Sequence, residues 1–377
     1  MTVINQASGK NWQLFHGDCC EVAKDLPDNS IDFCIHSPPF SALYIYSDSE
    51  SDMGNCADHE EFFRHYSYLI RELFRVMVSG RLVAIHCKDL PKYANRDGTS
   101  GLFDFPGMCI AAFESAGFCY HSRVTIWKCP VTERERTNNN GLLHKTVKRD
   151  RSQIRQGMAD YMIVMRKPPV GTLLSAKPII SNGFDEYIGS EDPRTTDLPH
   201  PSKYARTGTL KAQSLDDAEV ESLAREIQST ACEWNDGGMS IDQAREEAIK
   251  RLRQTQQEAN SSVTIWRRYA EPVWWDIDQT NVLNFKLATS EQDEKHICPL
   301  QLDVIKRSIQ LWSDRDEVVL SPFAGIGSEG VGALEMGRKF IGIELKETYF
   351  NHAQKFLRVA ESTARNQSRS LFDEDVQ

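Results

Sequence analysis

Ile31, Phe33 and Ile35 alternate with Asp32, Cys34 and His36, a period of two that predicts a short strand ending at His36. The period then lengthens. Phe62, Tyr66, Leu69, Leu73 and Met77 recur on one helical face, with Asp58 placed to cap the start and Gly80 to follow the end. "RLVAIHC" and "FCYHSRVTIWKC" read as strands flanking a second helix, "FPGMCIAAFESAG". Before them, "NWQLFHGD" reads as a strand and "CCEVAKDL" as a short helix. Alternation of this kind predicts an α/β domain on a parallel sheet.

The alternation breaks after Cys129. A polar, basic, Asn-rich stretch precedes the strand "DYMIVMRKPP", which suggests a hairpin carrying a long insertion. Residues 170–260 are polar, with two charged helices near 215–229 and 240–258. The strand–helix pattern resumes late. "DEVVLSPF" is a strand, "AGIGSEGVGALEMG" a Gly-rich turn entering a helix, and "RKFIGIEL" a second strand. A last helix carries Tyr349, Ala353, Phe356 and Ala360 on one face, and residues 363–377 read as a disordered tail. The expected division is 1–169, with a basic loop at 131–157, then an insert at 170–260, then 261–362 returning to the first domain.

Composition narrows the class. A chain of 377 residues suits one large domain with insertions, or two domains. No run of about eighteen apolar residues occurs, so no membrane span is expected. "MTVINQASGKNWQ" lacks an apolar signal core, and the ten cysteines form no C-x-x-C pair. A cytoplasmic protein without a metal site is the expectation. The formal charge of −10 argues against wholesale polyanion binding. Locally the picture differs, because Lys145, Lys148, Arg149, Arg151 and Arg155 cluster among few acids. Such a cluster is either a solvated loop or the charge that a phosphate-backbone contact needs.

Two motifs carry candidate chemistry. Gly325, Gly327 and Gly330 form G-x-G-x-x-G after a predicted strand and at the start of a predicted helix, the setting of a nucleoside-cofactor turn. Glu344 ends the next strand, where a carboxylate can accept hydrogen bonds from two ribose hydroxyls. NAD, FAD and S-adenosylmethionine all carry such a ribose. With one βα unit after the turn, a following dehydrogenase substrate domain is not expected. The second motif is Ser37-Pro38-Pro39-Phe40. Its prolines stiffen the strand exit and present the Ser37 hydroxyl, the Pro38 carbonyl and the Phe40 ring. Alone it is equally a rigid exit that packs a Phe.

Together these segments resemble the circularly permuted, beta-class DNA amino-methyltransferases of the DNA methylase N-4/N-6 family. Ser37-Pro38-Pro39-Phe40 matches that family's catalytic motif. Pro322-Phe323-Ala324-Gly325-Ile326-Gly327 matches its cofactor loop, Glu344 its ribose acid and Asp18 its adenine-side acid. "KHICPLQL", with His296 and Pro299, is similar to the segment that covers the methionine moiety. Two positions depart from the family pattern: Ser321 stands where Asp is usual, and Glu329 where Thr or Ser is common.

The resemblance implies a doubly wound, Rossmann-like methyltransferase sheet, mostly parallel with an antiparallel hairpin, and an inserted recognition subdomain. It implies S-adenosylmethionine as cofactor and DNA as partner, and leaves a homodimer and a cognate restriction endonuclease open. It also implies that 1–169 holds the catalytic motif, 170–260 the target-recognition region and 261–362 the cofactor motif. Phe40 would stack on a flipped base, and Lys145, Lys148, Arg149, Arg151 and Arg155 would contact phosphates. Ser at the first motif position is more similar to the cytosine-N4 group than to the adenine-N6 group, where Asp is usual. An adenine-N6 enzyme, or a non-catalytic nucleic-acid-binding protein of the same fold, remain the alternatives.

Overall fold

A computed structural model describes residues 3–40, 52–130, 133, 157–169, 217–234, 239–252, 271–283 and 299–373. The chain divides into two compact units: Met1–Ser181 with Pro272–Gln377, and Asn182–Glu271. Among the described residues of the larger unit, β1 (Val3–Ser8), β2 (Trp12–Gly17), β3 (Ile31–His36) and β4 (Met77–Cys87) come first. A small antiparallel pair follows, β5 (Leu90–Lys92) with β6 (Gly101–Phe103). Then come β7 (Cys119–Ile126), β8 (Asp160–Arg166), β9 (Val273–Trp274), β10 (Val318–Ser321) and β11 (Lys339–Glu344).

Nine of these strands form one sheet, in the order β1-β2-β11-β10-β3-β4-β8-β7-β9. The five strands from β2 to β4 are parallel to their neighbours. β8 pairs antiparallel with both β4 and β7, which is the hairpin expected around the insertion. The two late strands, β10 and β11, lie between the two early ones, β2 and β3. The chain is thus permuted across a doubly wound sheet, as the motif order suggested.

The sheet is covered on both faces. On one side, α1 (Cys19–Lys24), α2 (His59–Val76) and α4 (Phe105–Ser115) build an apolar cluster with Ile31, Cys34, Val83 and Leu320. The one-turn α3 (Ala94–Asp97) lies between β5 and β6 in sequence. On the other side, α7 (Leu302–Trp312), α8 (Ser328–Glu335) and α9 (Glu347–Asp373) pack with Phe33, Ile35, Val319 and Phe340. Burial on both faces explains why the central strands read as nearly continuous apolar runs. α2 buries Phe62, Tyr66, Leu69, Ile70, Leu73 and Val76, each worth roughly 1.5–3 kcal/mol of transfer. Its Asp58 cap accepts from the Glu61 N–H at 2.8 Å.

The smaller unit contains α5 (Asp217–Trp234) and the helical stretch α6 (241–252), close to the two helices expected there. Val220, Ala224 and Ile227 of α5 form an apolar cluster with Ala244 and Ala248 of α6. Among the described residues, no helix is long and apolar enough to cross a membrane.

Three local expectations change. α2 ends at Val76 and passes directly into β4, so Gly80 lies inside that strand rather than after the helix. Strand pairing of Met77 with Ile31 captures the chain earlier than the glycine signal suggests. β1 is an added antiparallel edge strand, whose mostly polar residues gave no clear period. The supposed tail from 363 continues α9 to Asp373, and 374–377 lie outside the described residues. Once a helix is nucleated by packing, each further residue adds a hydrogen bond at little cost.

The early and late parts of the chain are tied by buried polar contacts. Asp32 on β3 accepts from the Val318 N–H of β10 at 2.9 Å. Arg81 on β4 pairs with Glu317, and both side chains are almost fully buried. Removing one member of such a pair strands a buried charge. Arg81→Ala is expected to lower unfolding free energy by about 3–5 kcal/mol, read as a lower urea midpoint at unchanged slope.

Candidate active site

Parallel strands align their carboxyl ends, and here five neighbours bring distant sequence segments to one edge. Asp18 follows β2, Glu344 closes β11, Gly325 and Gly327 follow β10, Ser37 to Phe40 follow β3, and His86 lies at the end of β4. Neighbouring strands are about 4.8 Å apart. The Gly-rich turn and the S-P-P-F exit therefore leave adjacent strands, in register through Val319–Phe33 and Leu320–Cys34. Rings bridge the two exits: Phe323 lies 5.8 Å from His36 and 6.4 Å from Tyr66, centroid to centroid.

The cofactor-loop side is acidic and close-packed. Gly325 has φ of +52°, and a Cβ there would meet nothing within 4 Å, so the turn is left-handed and open above. Its N–H donates to Glu344 Oε2 at 2.7 Å, while Lys346 N–H donates to Oε1 at 2.8 Å. These bonds fix the carboxyl against the turn. At Gly330 a Cβ would come within 2.4 Å of Leu357 and 2.6 Å of Phe340, so this glycine serves close helix–strand packing. Asp18 caps α1, its Oδ1 accepting from Cys20 N–H at 2.8 Å and Glu21 N–H at 3.1 Å. Pro322 is buried and Pro299 half-buried, while His296 lies outside the described residues.

Two carboxyls on this side hold their protons unusually well. Burial pushes Glu329 up to about 8, and the neighbouring Glu344 adds to the rise. Burial also pushes Glu344 up to about 7, against its two backbone hydrogen bonds, with Asp52 raising it further. The hydroxyl of Ser321, which replaces the acid usual in the resembling family, is buried without a hydrogen-bond partner. Sequence reasoning treated Glu329 only as a departure and did not find Asp52. Only packing reveals that both acids bear on Glu344.

The S-P-P-F side differs. Ser37 is partly exposed, Pro38 is buried, and Pro39 and Phe40 are half-buried. Phe40 packs edge-on against Phe105, with centroids 6.2 Å apart and planes at 78°. Its neighbour in the strand, His36, is fully buried and bonded through Nε2 to the Tyr66 hydroxyl at 2.7 Å. Burial lowers His36 to about 3, which keeps it neutral. Ser37 Oγ lies 3.0 Å from His86 Nδ1, and His86 Nε2 lies 3.1 Å from Asp160 Oδ2. Lys128 Nζ reaches the same Asp160 oxygen at 2.9 Å, and Lys88 Nζ pairs with Glu133 at 2.7 Å.

Burial alone would raise Asp160, but His86, Lys128 and Lys88 together hold it well below the usual carboxylate range. None of these five residues was singled out by the sequence. Their only trace is a His, Lys or Asp at the end of an otherwise apolar strand: His86 in "AIHCKD", Lys128 in "IWKC", Asp160 in "ADYM". The basic residues Lys145, Lys148, Arg149, Arg151 and Arg155 lie outside the described residues.

Comparison with known proteins decides the family. The family model for DNA methylase matches residues 31–355. The chain belongs to the DNA methylase family. Among curated relatives of this DNA methylase, the Type II methyltransferase M.HindIII of Haemophilus influenzae is 34% identical over 84 residues, 21% of this chain and 27% of that protein. The DNA adenine methyltransferase YhdJ of Escherichia coli is 38% identical over 82 residues, 21% of this chain and 28% of that protein. These matches span little more than a quarter of the relatives' lengths.

Solved structures agree on the fold over nearly the whole chain. The modification methylase TTHA0409 of Thermus thermophilus, in complex with S-adenosyl-L-methionine, superposes with a TM-score of 0.52 at 17% identity. That match covers 93% of this chain and 96% of TTHA0409. The cytosine-N4-specific PvuII DNA methyltransferase gives 0.50 at 12% identity, covering 95% and 94%.

The raised carboxyls make a pH prediction. The unfolded chain loses the Glu329 proton near 4.5 and the folded chain keeps it to about 8. Between those values the folded state binds more protons, so stability falls as pH rises. Glu329→Gln removes this contribution. The variant is expected to melt about 3 °C or more above the parent at pH 8, with the difference shrinking toward pH 5 in thermal scans.

Proposed function

We propose that the protein transfers a methyl group from S-adenosylmethionine to an exocyclic amino group of a DNA base. The observation that carries this reading is the adjacency of the Gly-rich turn on β10 and the Ser37 exit on β3. The residues fit such a cofactor. Open space over Gly325 admits a ligand against the backbone, Glu344 is aimed at the turn, and Ser321 Oγ is a buried hydroxyl lacking a partner. Glu344 would hold the ribose and Asp18 would lie toward the adenine. Bound there, the sulfonium supplies an electrophilic methyl group.

An exocyclic amine is a weak nucleophile because its lone pair is delocalised into the ring. Ser37 Oγ and the Pro38 carbonyl act as acceptors for its protons and free that pair. No covalent enzyme intermediate is involved, and the rate gain comes from positioning. A base inside a duplex must leave the stack to reach this edge. The half-buried Phe40 would offer it a ring, and the 131–157 loop would hold phosphates. Residues 170–260 would read the sequence.

Ser37 in place of Asp favours cytosine N4 as target. The adenine-N6 reading is supported by the local likeness to an adenine methyltransferase.

The test is direct. Purified protein is incubated with labelled S-adenosylmethionine and unmethylated DNA, and modified nucleosides are identified by mass spectrometry. N4-methylcytosine is the expected product. N6-methyladenine would move the target base, and absence of label in DNA would overturn the reading. Phe40→Ala is expected to lower kcat/KM about 5- to 150-fold while cofactor affinity is kept, as measured by calorimetry. Gly325→Ala, which adds a methyl at a left-handed position facing open space, should cost about 1–2 kcal/mol of stability yet weaken cofactor binding at least tenfold.

A further inference from the structure

We propose that His86 and Asp160 form a relay behind Ser37 that orients its hydroxyl and accepts the proton released on methyl transfer. The inference rests on the methyl-transfer reading and adds the positioning residues that Ser37 would need.

The geometry fixes the direction of each bond. Asp160 is buried, with Lys128 Nζ at 2.9 Å and Lys88 Nζ at 3.8 Å from its oxygens. Two ammoniums keep it a carboxylate, which can only accept. The His86 Nε2 at 3.1 Å must therefore carry the hydrogen and donate it. His86 Nδ1 is then bare. At 3.0 Å it accepts the Ser37 hydroxyl proton. Ser37 Oγ is left with its lone pairs free toward the strand edge, the state required to accept from a target amine. Were the imidazole in its other tautomer, Nδ1–H would occupy one of those lone pairs.

The ring is also reversed relative to a hydrolytic Ser-His-Asp triad, where Nε2 faces the serine and Nδ1 the carboxylate. Here Nδ1 faces Ser37 and Nε2 faces Asp160. The groups around His86 balance in charge when it is neutral. Lys88 and Lys128 offset Asp160 and Glu133, which itself pairs with Lys88.

The proton balance is closed. As the amine nitrogen bonds to the methyl carbon, the carbon–sulfur bond breaks and its electron pair goes to sulfur, leaving S-adenosylhomocysteine. The methylated nitrogen carries one proton too many. That proton passes to Ser37 Oγ while the Ser37 proton moves to His86 Nδ1, giving an imidazolium held by Asp160. His86 keeps about a tenth of its side chain exposed, a path for the proton to water.

The experiment compares single-turnover methyl transfer and the Kd values for cofactor and DNA in wild type, His86→Ala and Asp160→Asn. General acid–base contributions are typically about 10²–10⁴-fold. His86→Ala is expected to lose rate in that range with both Kd values within threefold, and added imidazole is expected to recover at least tenfold. A folded His86→Ala protein with a rate within threefold of wild type, or a loss that imidazole leaves untouched, overturns the relay. Where His86→Ala does not fold, Asp160→Asn decides. Its amide donates to the ring and imposes the wrong tautomer, so kcat should fall with KM for both substrates kept. Wild-type kcat in Asp160→Asn overturns the proposal. Failure of wild type itself to label DNA instead overturns the methyl-transfer reading, so the two are distinguishable.

Discussion

The parallel pairing of β10 with β3 is the constraint on which the rest depends. Val319 and Leu320 lie opposite Phe33 and Cys34, and the Asp32–Val318 hydrogen bond spans 286 residues of chain. Closing so long a separation is entropically costly but grows only slowly with length. It is offset by two buried faces and by the Arg81–Glu317 pair. Its consequence is geometric. Two short motifs that are remote in sequence leave adjacent strands in the same direction, at the switch point where open α/β sheets bind ligands.

The edge is divided electrostatically. On the Gly-rich side, Glu329, Glu344 and Asp52 crowd together with little cationic compensation, and burial raises the first two. An electron-poor, positively charged ligand suits such a place. On the Ser37 side the logic is reversed, because Lys128 and Lys88 keep Asp160 ionised. A fixed carboxylate there gives His86 a defined hydrogen-bond direction. Proteins of this fold must both hold a cation and remove a proton, and the two halves of this edge are built for those opposite tasks. Glu329 also bears on the missing acid at Ser321: a carboxyl is still buried near the turn, delivered from the first turn of α8.

Much of the architecture was legible because it is written in periods and in backbone-demanding residues. The buried strands, the amphipathic α2 and the Gly325–Gly327 turn each require residue types that cannot be exchanged freely. The permuted order followed from motif order. What escaped had no such signature. β1 is an edge strand with one face in water, and Gly80 served strand geometry rather than a helix end. The His86–Asp160–Lys128 group was illegible for a different reason. Its members come from three strands, and each looks like an ordinary polar residue at a strand end until the antiparallel β7–β8 pair brings them together.

The most direct measurement of the central claim is a structure with a non-transferring amino analogue of S-adenosylmethionine and an oligonucleotide carrying an unpaired target base. The account predicts the analogue seated over Gly325 with its ribose at Glu344. It also predicts the base amino group within hydrogen-bond reach of Ser37 Oγ and in line with the transferring position. An analogue bound elsewhere, or a base held beyond reach of Ser37 while the analogue occupies the Gly-rich turn, would contradict it.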